Sequence, residues 1–295
     1  VICPLVTNEK DINDSVWESA VAILAWHDLT YSKDLIAKLK SCKVIVRVGV
    51  GFDNVDLVAA KKNNIIICNV PDYGTNDVAD HTIALMLSLV RGIESYNLGV
   101  KYNKSWEWGD AGDLMRLTGS TMGIIGLGRI GTATALRAKA FGMNIVFYDP
   151  YVPDGKEKSL LISRSESLQE LLEISDVITI HANLTRETNQ MVNREFFNKI
   201  NKHPILINTS RGQILNLDEL YEALKSNLIK AVGTDVLPIE PPQNDHPLIK
   251  SWRNEEEWIY GRLLITPHAA FYNTESYREM RVKAAKEVKR VLAGE

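Results

Sequence analysis

Residues 122–131 read Met122-Gly123-Ile124-Ile125-Gly126-Leu127-Gly128-Arg129-Ile130-Gly131, and residues 144–149 read Asn144-Ile145-Val146-Phe147-Tyr148-Asp149. The first stretch sets G-x-G-x-x-G directly after an apolar, β-branched run and at the head of a helical period over 130–140. The second is a strand pattern that ends on an acid. Gly-rich turns are common, so the six residues alone decide little. In the order strand, Gly loop, helix, strand, acid they specify the opening of a parallel dinucleotide-binding sheet. Gly126 permits the tight turn, Gly128 lets backbone approach a pyrophosphate, and Gly131 lets helix and strand pack closely. The helix N-terminus offers unpaired N–H groups and a positive dipole end to the phosphates. Asp149 stands where ribose hydroxyls are bound, and Pro150-Tyr151 brings no cation for a 2′-phosphate, so NAD is expected over NADP.

On either side of this unit the same alternation continues. Strand patterns at 122–125, 144–148, 177–180, 205–207, 231–234 and 263–265 alternate with helical periods and make a six-stranded doubly wound sheet. Ahead of it, strand-like 21–25, 43–48 and 65–68 alternate with helix-like 33–40 and 57–62. The fold class is therefore α/β, with two Rossmann-like doubly wound domains and a cleft between them. A helix over 77–90, entered through Pro71-Asp72-Tyr73-Gly74 and capped by Thr75 or Asn76, is expected to connect them. A terminal helix over 275–292 is long enough to return to the first block. The expected division is 1–92 plus 273–295 for a discontinuous substrate domain and 93–272 for the NAD-binding domain.

A length of 295 residues suits about two domains at roughly 150 residues each. With 45% hydrophobic and 24% charged residues the chain is of ordinary globular composition, which excludes disordered, collagen-like and coiled-coil readings. A net charge of -3 gives no electrostatic reason to expect nucleic acid or an anionic membrane as partner. The longest apolar runs, such as 83–90, fall well short of the roughly 20 residues of a membrane span. Cys3, Cys42 and Cys68 are an odd count with no C-x-x-C spacing, so neither a disulfide framework nor a metal site is expected, and a reducing, cytoplasmic setting fits best. Cys42 and Cys68 each border an apolar run and read as buried structural thiols. The chain opens Val1-Ile2-Cys3-Pro4, without an initiator Met or a leader, and a trimmed piece of a longer chain is expected.

Chemistry at a nicotinamide on a small carbonyl or hydroxyl substrate needs a group that moves a proton, and His is the usual choice near neutral pH. His268, in Thr266-Pro267-His268-Ala269-Ala270, follows the last strand pattern, where residues face the ligand crevice. His181 also ends a strand and is the alternative. His27, His203 and His246 lie in turn-like or polar contexts, and His81 lies on the connecting helix as a packing or interdomain residue. Arg211, after Ile205-Leu206-Ile207-Asn208-Thr209-Ser210, is either a surface residue or a bidentate grip for a substrate carboxylate. Glu240, in Leu237-Pro238-Ile239-Glu240-Pro241, is equally open alone. Its functional reading is a carboxylate that orients His268 and keeps it protonated.

With these residues in place the chain resembles the D-isomer-specific 2-hydroxyacid dehydrogenases, most of all their C-terminal-binding-protein-like branch. The resemblance spans nearly the whole chain. It rests on residues 46–56, Val46-Arg47-Val48-Gly49-Val50-Gly51-Phe52-Asp53-Asn54-Val55-Asp56; on Asn69-Val70-Pro71 with Val78-Ala79-Asp80-His81; and on the phosphate loop with Leu136-Arg137-Ala138-Lys139-Ala140-Phe141-Gly142. It continues through Phe147-Tyr148-Asp149-Pro150-Tyr151, Asn208-Thr209-Ser210-Arg211-Gly212, Asp235-Val236 with Glu240-Pro241, and Thr266-Pro267-His268-Ala269-Ala270. The resemblance implies that Arg211, Glu240 and His268 are the catalytic set. It implies that Val48, Gly49, Val50 and Gly51 receive the substrate carboxylate with Arg47 nearby, and that Phe271 lines the substrate pocket unless it is a core aromatic. For the cofactor it implies Arg129 and Ile130 at the pyrophosphate and Asp149 at the ribose. Ala182, Asn183, Thr188, Thr209, Ser210, Arg211, His268 and Ala269 would line the remainder, with Asp235 near the carboxamide unless it is a turn residue.

The activity so implied is hydride transfer between NAD(H) and a small D-2-hydroxy or 2-oxo acid, with His268 as acid and base. An NAD(H)-responsive corepressor-like scaffold that binds protein partners is the alternative. A homodimer through the cofactor domain, with the Trp-bearing 102–112 region in contact, is expected by the same resemblance. Two features depart from the family pattern. The segment 242–262 is longer than usual and is either a lid-like element or a structural flap, the structural reading being favoured. The first strand expected of the substrate domain is not recognisable.

Overall fold

The computed structural model describes residue 6 and residues 8–295; Cys3 lies outside them. The chain forms two units, Val1–Gly74 with Tyr272–Glu295, and Thr75–Phe271. In the first, β1 (Ala22–Ala25), β2 (Val44–Arg47) and β3 (Ile66–Asn69) pair in parallel in sequence order, with Ile23 opposite Ile45 and Ile45 opposite Ile67. The middle strand is buried on both faces, which is why it reads as an unbroken Val-Ile-Val run. Helices α1 (Asp14–Ser19), α2 (Lys33–Lys38) and α3 (Leu57–Lys62) start at Asn13, Ser32 and Asp56, whose side chains accept the first free backbone N–H groups. Trp17, Tyr31, Leu35, Ile36, Ile45 and Ala60 share its core. Burial there pushes the Cys42 thiol up to about 11, and Cys68, half-buried, is also raised by desolvation.

The second unit is a parallel seven-stranded sheet of β4 (Thr121–Ile125), β5 (Asn144–Tyr148), β6 (Ser163–Arg164), β7 (Val177–Ile180), β8 (Ile205–Asn208), β9 (Ala231–Thr234) and β10 (Leu263–Ile265). Their order is β10-β9-β8-β7-β4-β5-β6. The strand beyond the six expected is β6, whose two residues are too few to carry a periodic signal. Successive strand residues enter opposite cores, Ile124 one and Ile125 the other, Val177 one and Ile178 the other, so both faces are covered by helices. Those helices are α4 (Thr75–Val90), α5 (Ile93–Leu98), α6 (Arg129–Ala140), α7 (Lys156–Leu160), α8 (Leu168–Ile174), α9 (Arg194–Asn198), α10 (Leu217–Lys225) and α11 (Pro247–Arg253). Strand order reverses between β4 and β7, and in such sheets the crevice at the carboxyl ends of the strands receives ligand.

Three expectations change. The boundary set at 92/93 falls at 74/75, because Ile83, Leu85, Met86, Leu89 and Val90 of α4 enter the core that α6 and β4 share. The helix is part of the dinucleotide unit and not a connector. Neither Thr75 nor Asn76 stands before it as a cap; both lie inside it, and the Asn76 side-chain carbonyl accepts from Arg137 at 3.2 Å. The segment 242–262 is structural: Leu248, Ile249 and Ile259 are buried in the core, and Trp252 and Trp258 pack against it. Arg262 closes it by donating to the carbonyls of Leu224, Ile229, Lys230 and Trp258. The last helix, α12 (Thr274–Leu292), packs on the first unit's strands as its length suggested, started by an Asn273–Ser276 capping box. Among the described residues no helix is long and apolar enough to cross a membrane.

Candidate active site

The phosphate loop joins β4 to α6, with Gly128 as N-cap and Arg129 and Ile130 as the first helical residues. Gly126 has φ +91, and a Cβ there would lie 2.8 Å from the Ala182 nitrogen. At Gly131 a Cβ would lie 2.2 Å from the Gly126 carbonyl oxygen, whereas at Gly128 it would meet nothing within 4 Å. Gly126 is thus needed for the loop to pack against the segment after β7 and Gly131 for the helix to pack on the loop, while Gly128 leaves space over the helix N-terminus where a pyrophosphate fits. Asp149 follows β5 and is held by two backbone donors, Leu127 N–H on Oδ2 at 2.8 Å and Tyr151 N–H on Oδ1 at 3.0 Å. Each carboxylate oxygen keeps acceptor capacity for ribose hydroxyls. Arg164, the cation closest in the hydrogen-bond network to this turn, is engaged by Glu157 and by the carbonyls of Asp149, Val152 and Pro153. These residues suit NAD.

After β7 comes the loop of Ala182, Asn183 and Thr188. The Thr188 hydroxyl donates to the Asn183 carbonyl at 2.6 Å and accepts from Thr185 N–H at 2.8 Å, which closes the loop on itself. Exposed Tyr151 reaches over to it and donates to Glu187 at 2.5 Å.

The chemistry-bearing residues come from three loops beyond β8, β9 and β10. After β8, buried Asn208 accepts from both the N–H and hydroxyl of Ser210 and donates to the Arg211 carbonyl at 3.0 Å, which shapes the turn of Thr209, Ser210 and Arg211. The next residue, Gly212, is pressed against the loop after β9; a Cβ there would fall 1.9 Å from the Leu237 carbonyl carbon. That loop ends at Glu240, whose Oε1 accepts from Leu237 N–H at 2.9 Å and whose Oε2 lies 2.8 Å from His268 Nδ1. Asp235, almost wholly buried, accepts from the N–H groups of Ala269 and Ala270 and from the Thr266 hydroxyl. Its carboxylate anchors the loop after β10, which is its role whatever else it binds. His268 sits at φ +52, and its ring meets that of Phe271 edge-on at 6.5 Å.

Residues 83–270 match the D-isomer specific 2-hydroxyacid dehydrogenase NAD binding domain. This chain belongs to that family. It is 33% identical over 294 residues to C-terminal-binding protein 1 of Caenorhabditis elegans, covering 97% of this chain and 39% of that protein. It is 38% identical over 269 residues to D-3-phosphoglycerate dehydrogenase of Methanocaldococcus jannaschii, covering 90% and 48%. The chain therefore spans less than half the length of these curated relatives. Among solved structures, D-lactate dehydrogenase from Aquifex aeolicus, complexed with NAD and lactic acid, superposes with a TM-score of 0.84 at 30% identity, covering 97% of this chain and 87% of that one.

For this family member the two strand-end histidines separate clearly. His181 bonds Thr179 Oγ1 at 3.0 Å, and desolvation pushes its pKa down to about 3, so its ring is the neutral imidazole at neutral pH. His268 instead has the Glu240 carboxylate 2.8 Å from its Nδ1. Of the others, His246 caps α11 and lies 3.2 Å from Asp218, and His203 meets the Asn227 carbonyl.

In the first unit the loop after β2 holds fewer free donors than expected. Val48 N–H continues the ladder to the Ala25 carbonyl, and Gly49 N–H, at φ +148, turns back to the Arg47 carbonyl at 2.9 Å. Among the described residues, no backbone acceptor is found for the amides of Val50 and Gly51. Arg47 is buried, with its Nη1 donating to the Val48 carbonyl. It shapes the loop from within.

Sequence reading supplied no bonding partner for Asn208, Thr266, His81 or Thr82. Asn208, Thr266 and His81 lay inside the family motifs, and an Asn two residues before a turn is a recognisable Asx signal. The contacts of His81 and Thr82 left no local signal, since their partners are 185 and 127 residues away.

Proposed function

We propose that the chain catalyses reversible hydride transfer between NAD(H) and a small D-2-hydroxy or 2-oxo acid. The observation that carries this reading is the 2.8 Å contact of His268 Nδ1 with Glu240 Oε2, in the same unit as the phosphate loop. NAD, when bound, supplies or accepts the hydride. With Glu240 ionised, Nδ1–H of His268 donates to Oε2, which leaves Nε2 as the ring nitrogen available to the substrate. In reduction Nε2–H gives its proton to the substrate oxygen as the carbonyl carbon gains hydride; in oxidation Nε2 takes the hydroxyl proton. Glu240 balances the imidazolium charge, and Arg211 holds the carboxylate and polarises the carbonyl. General acid action of this kind contributes about 10²–10⁴-fold.

The test is steady-state oxidation of NADH, and separately NADPH, with a panel of 2-oxo acids and His268→Ala as control. Turnover with NADH that the control loses is expected. Tight NADH binding without turnover of any acid would overturn the reading in favour of an NAD(H)-responsive protein-binding scaffold, which the likeness to C-terminal-binding protein 1 supports. A homodimer through the second unit is part of the proposal: Trp106 and Trp108 are 86% and 88% exposed beside Tyr102 and Val100, an apolar face that a second copy would cover. Sedimentation of Trp106→Ser/Trp108→Ser against the unaltered chain checks it, and a monomeric unaltered chain rejects it. Cytoplasmic placement is proposed as well, in keeping with free Cys42 and Cys68.

A further inference from the structure

We propose that His81 and Thr82, neighbours on α4, are positioning residues that hold the two loops bearing His268 and Arg211. The inference rests on reading the site as a hydride-transfer centre and names what fixes its geometry.

His81 Nε2 lies 2.9 Å from Thr266 Oγ1, and Thr266 Oγ1 donates to Asp235 Oδ1 at 2.6 Å. The hydroxyl has one proton, and it is committed to the buried carboxylate. His81 must therefore carry its proton on Nε2 and donate to Thr266, which gives the chain a direction: His81 to Thr266 to Asp235. Asp235 is the group on which the next loop hangs. Its backbone carbonyl accepts from His268 N–H, Oδ1 from Ala269 N–H and Oδ2 from Ala270 N–H, each at 2.8 Å. Three consecutive amides thus end on one residue. They hold His268 at φ +52, a left-handed conformation that a non-glycine residue keeps only when its surroundings impose it. Turning the Asp235 carboxylate would release that loop, and His81 acts through Thr266 to prevent it.

The adjacent residue reaches the other loop. Thr82 donates its hydroxyl proton to the Val78 carbonyl one turn back at 2.7 Å, so at the 2.8 Å contact with Thr209 it is Thr209 that donates. Thr82 is fully buried and Thr209 nearly so, which makes an unmet hydroxyl costly. Thr209 stands two residues before Arg211, in the turn that Asn208 shapes. Neighbours on a helix point about 100° apart, so a single position along α4 can address both loops. The helix is anchored independently in the core with α6. It therefore sets the group that grips the carboxylate and the group that protonates the oxygen from one rigid reference.

The test compares His81→Phe, Thr82→Val, Thr266→Val and the conservative Thr82→Ser in the full chain. Steady-state kinetics with an accepted 2-oxo acid are measured alongside NADH affinity by fluorescence and the His268 imidazole by ¹⁵N NMR. His81→Phe is expected to lower kcat about 10–100-fold, the scale of a displaced catalytic group, with NADH affinity within about twofold. Thr82→Val is expected to raise KM for the acid more than it lowers kcat, and Thr82→Ser to restore it. Adding His81→Phe to Thr266→Val should cost nothing further, because without the Thr266 hydroxyl His81 has no route to Asp235. Loss of kcat and KM in the same proportion in both variants, or His81→Phe within about threefold of the unaltered chain, overturns the proposal. If the unaltered chain turns over no 2-oxo acid, the activity reading falls. The inference is then decided by NMR: the His268 signals must move in His81→Phe and Thr266→Val, and unmoved signals overturn it.

Discussion

On the β4–β5 side of the seven-stranded sheet the site is made of backbone. Gly126 packs the loop against the segment after β7, Gly131 packs the helix on the loop, Gly128 leaves space above the α6 N-terminus, and Asp149 is pinned by two amides within 22 residues of it. On the β8–β10 side it is made of side chains that meet over 28 to 185 residues, Glu240 on His268, Asp235 under the 268–270 loop, and His81 on Thr266. His181, just after β7 where the halves meet, has a buried, neutral ring bonded to the Thr179 hydroxyl, whereas His268 has Glu240 at 2.8 Å. Two strand ends thus supply similar places, and the side chains brought to them from elsewhere in the chain make the difference.

The largest effect should come from the side-chain half. His268→Ala is expected to lower kcat for 2-oxo acid reduction by about 10²–10⁴-fold, while His181→Gln stays within a few-fold. Similar losses in the two variants would erase the distinction between the histidines. Glu240→Gln keeps an acceptor for Leu237 N–H yet removes the charge opposite His268. A drop in kcat of about 10²-fold with unchanged NADH binding is expected, again from steady-state rates and fluorescence titration.

The backbone half should fail differently. Gly128→Ala has room for its methyl group, so thermal stability should hold while NADH affinity falls about tenfold, one charge-assisted contact of the pyrophosphate being displaced. Gly131→Ala presses against the Gly126 carbonyl and should instead destabilise the unit by about 1–3 kcal/mol in denaturant unfolding. If the two glycines exchanged these behaviours, the assignment of the open space to a pyrophosphate would be wrong.

The smallest effect belongs to His181. Its pKa is lowered from 6.5 to about 3 by burial, so the unfolded chain takes up a proton below pH 6.5 that the folded chain refuses. Stability attributable to it is full above that pH and lost as pH falls. Between pH 7 and pH 5 the unaltered chain should lose about 1–2 kcal/mol more unfolding free energy than His181→Gln. Equal losses would mean that His181 is protonated in the folded state and is again a candidate donor.

How much could be read in the sequence follows the same division. Strands 144–148, 177–180, 231–234 and 263–265 were legible to the residue, because strands covered on both faces are short unbroken apolar runs between turn signals. The two-residue β6 carried no period. The allegiance of α4 was misread because an apolar helical face says that it packs, and not on which sheet. Arg211, Glu240 and His268 looked ordinary one by one, and only their motif order pointed to a common task. That Gly49 turns its amide to the Arg47 carbonyl depends on a φ of +148 that no local pattern announces.

The sequence by itself determined the parallel α/β sheet, the phosphate loop and the acid after β5, because each depends on residues close along the chain and on backbone geometry that glycine spacing fixes. Tertiary structure alone decided which of the two strand-end histidines has a carboxylate beside it, which unit owns α4, and which hydroxyls and carboxylates hold the loops after β8 and β10. Those are contacts between segments far apart in sequence, and whether a buried polar group finds its partner is settled only when the strands that carry them are laid side by side.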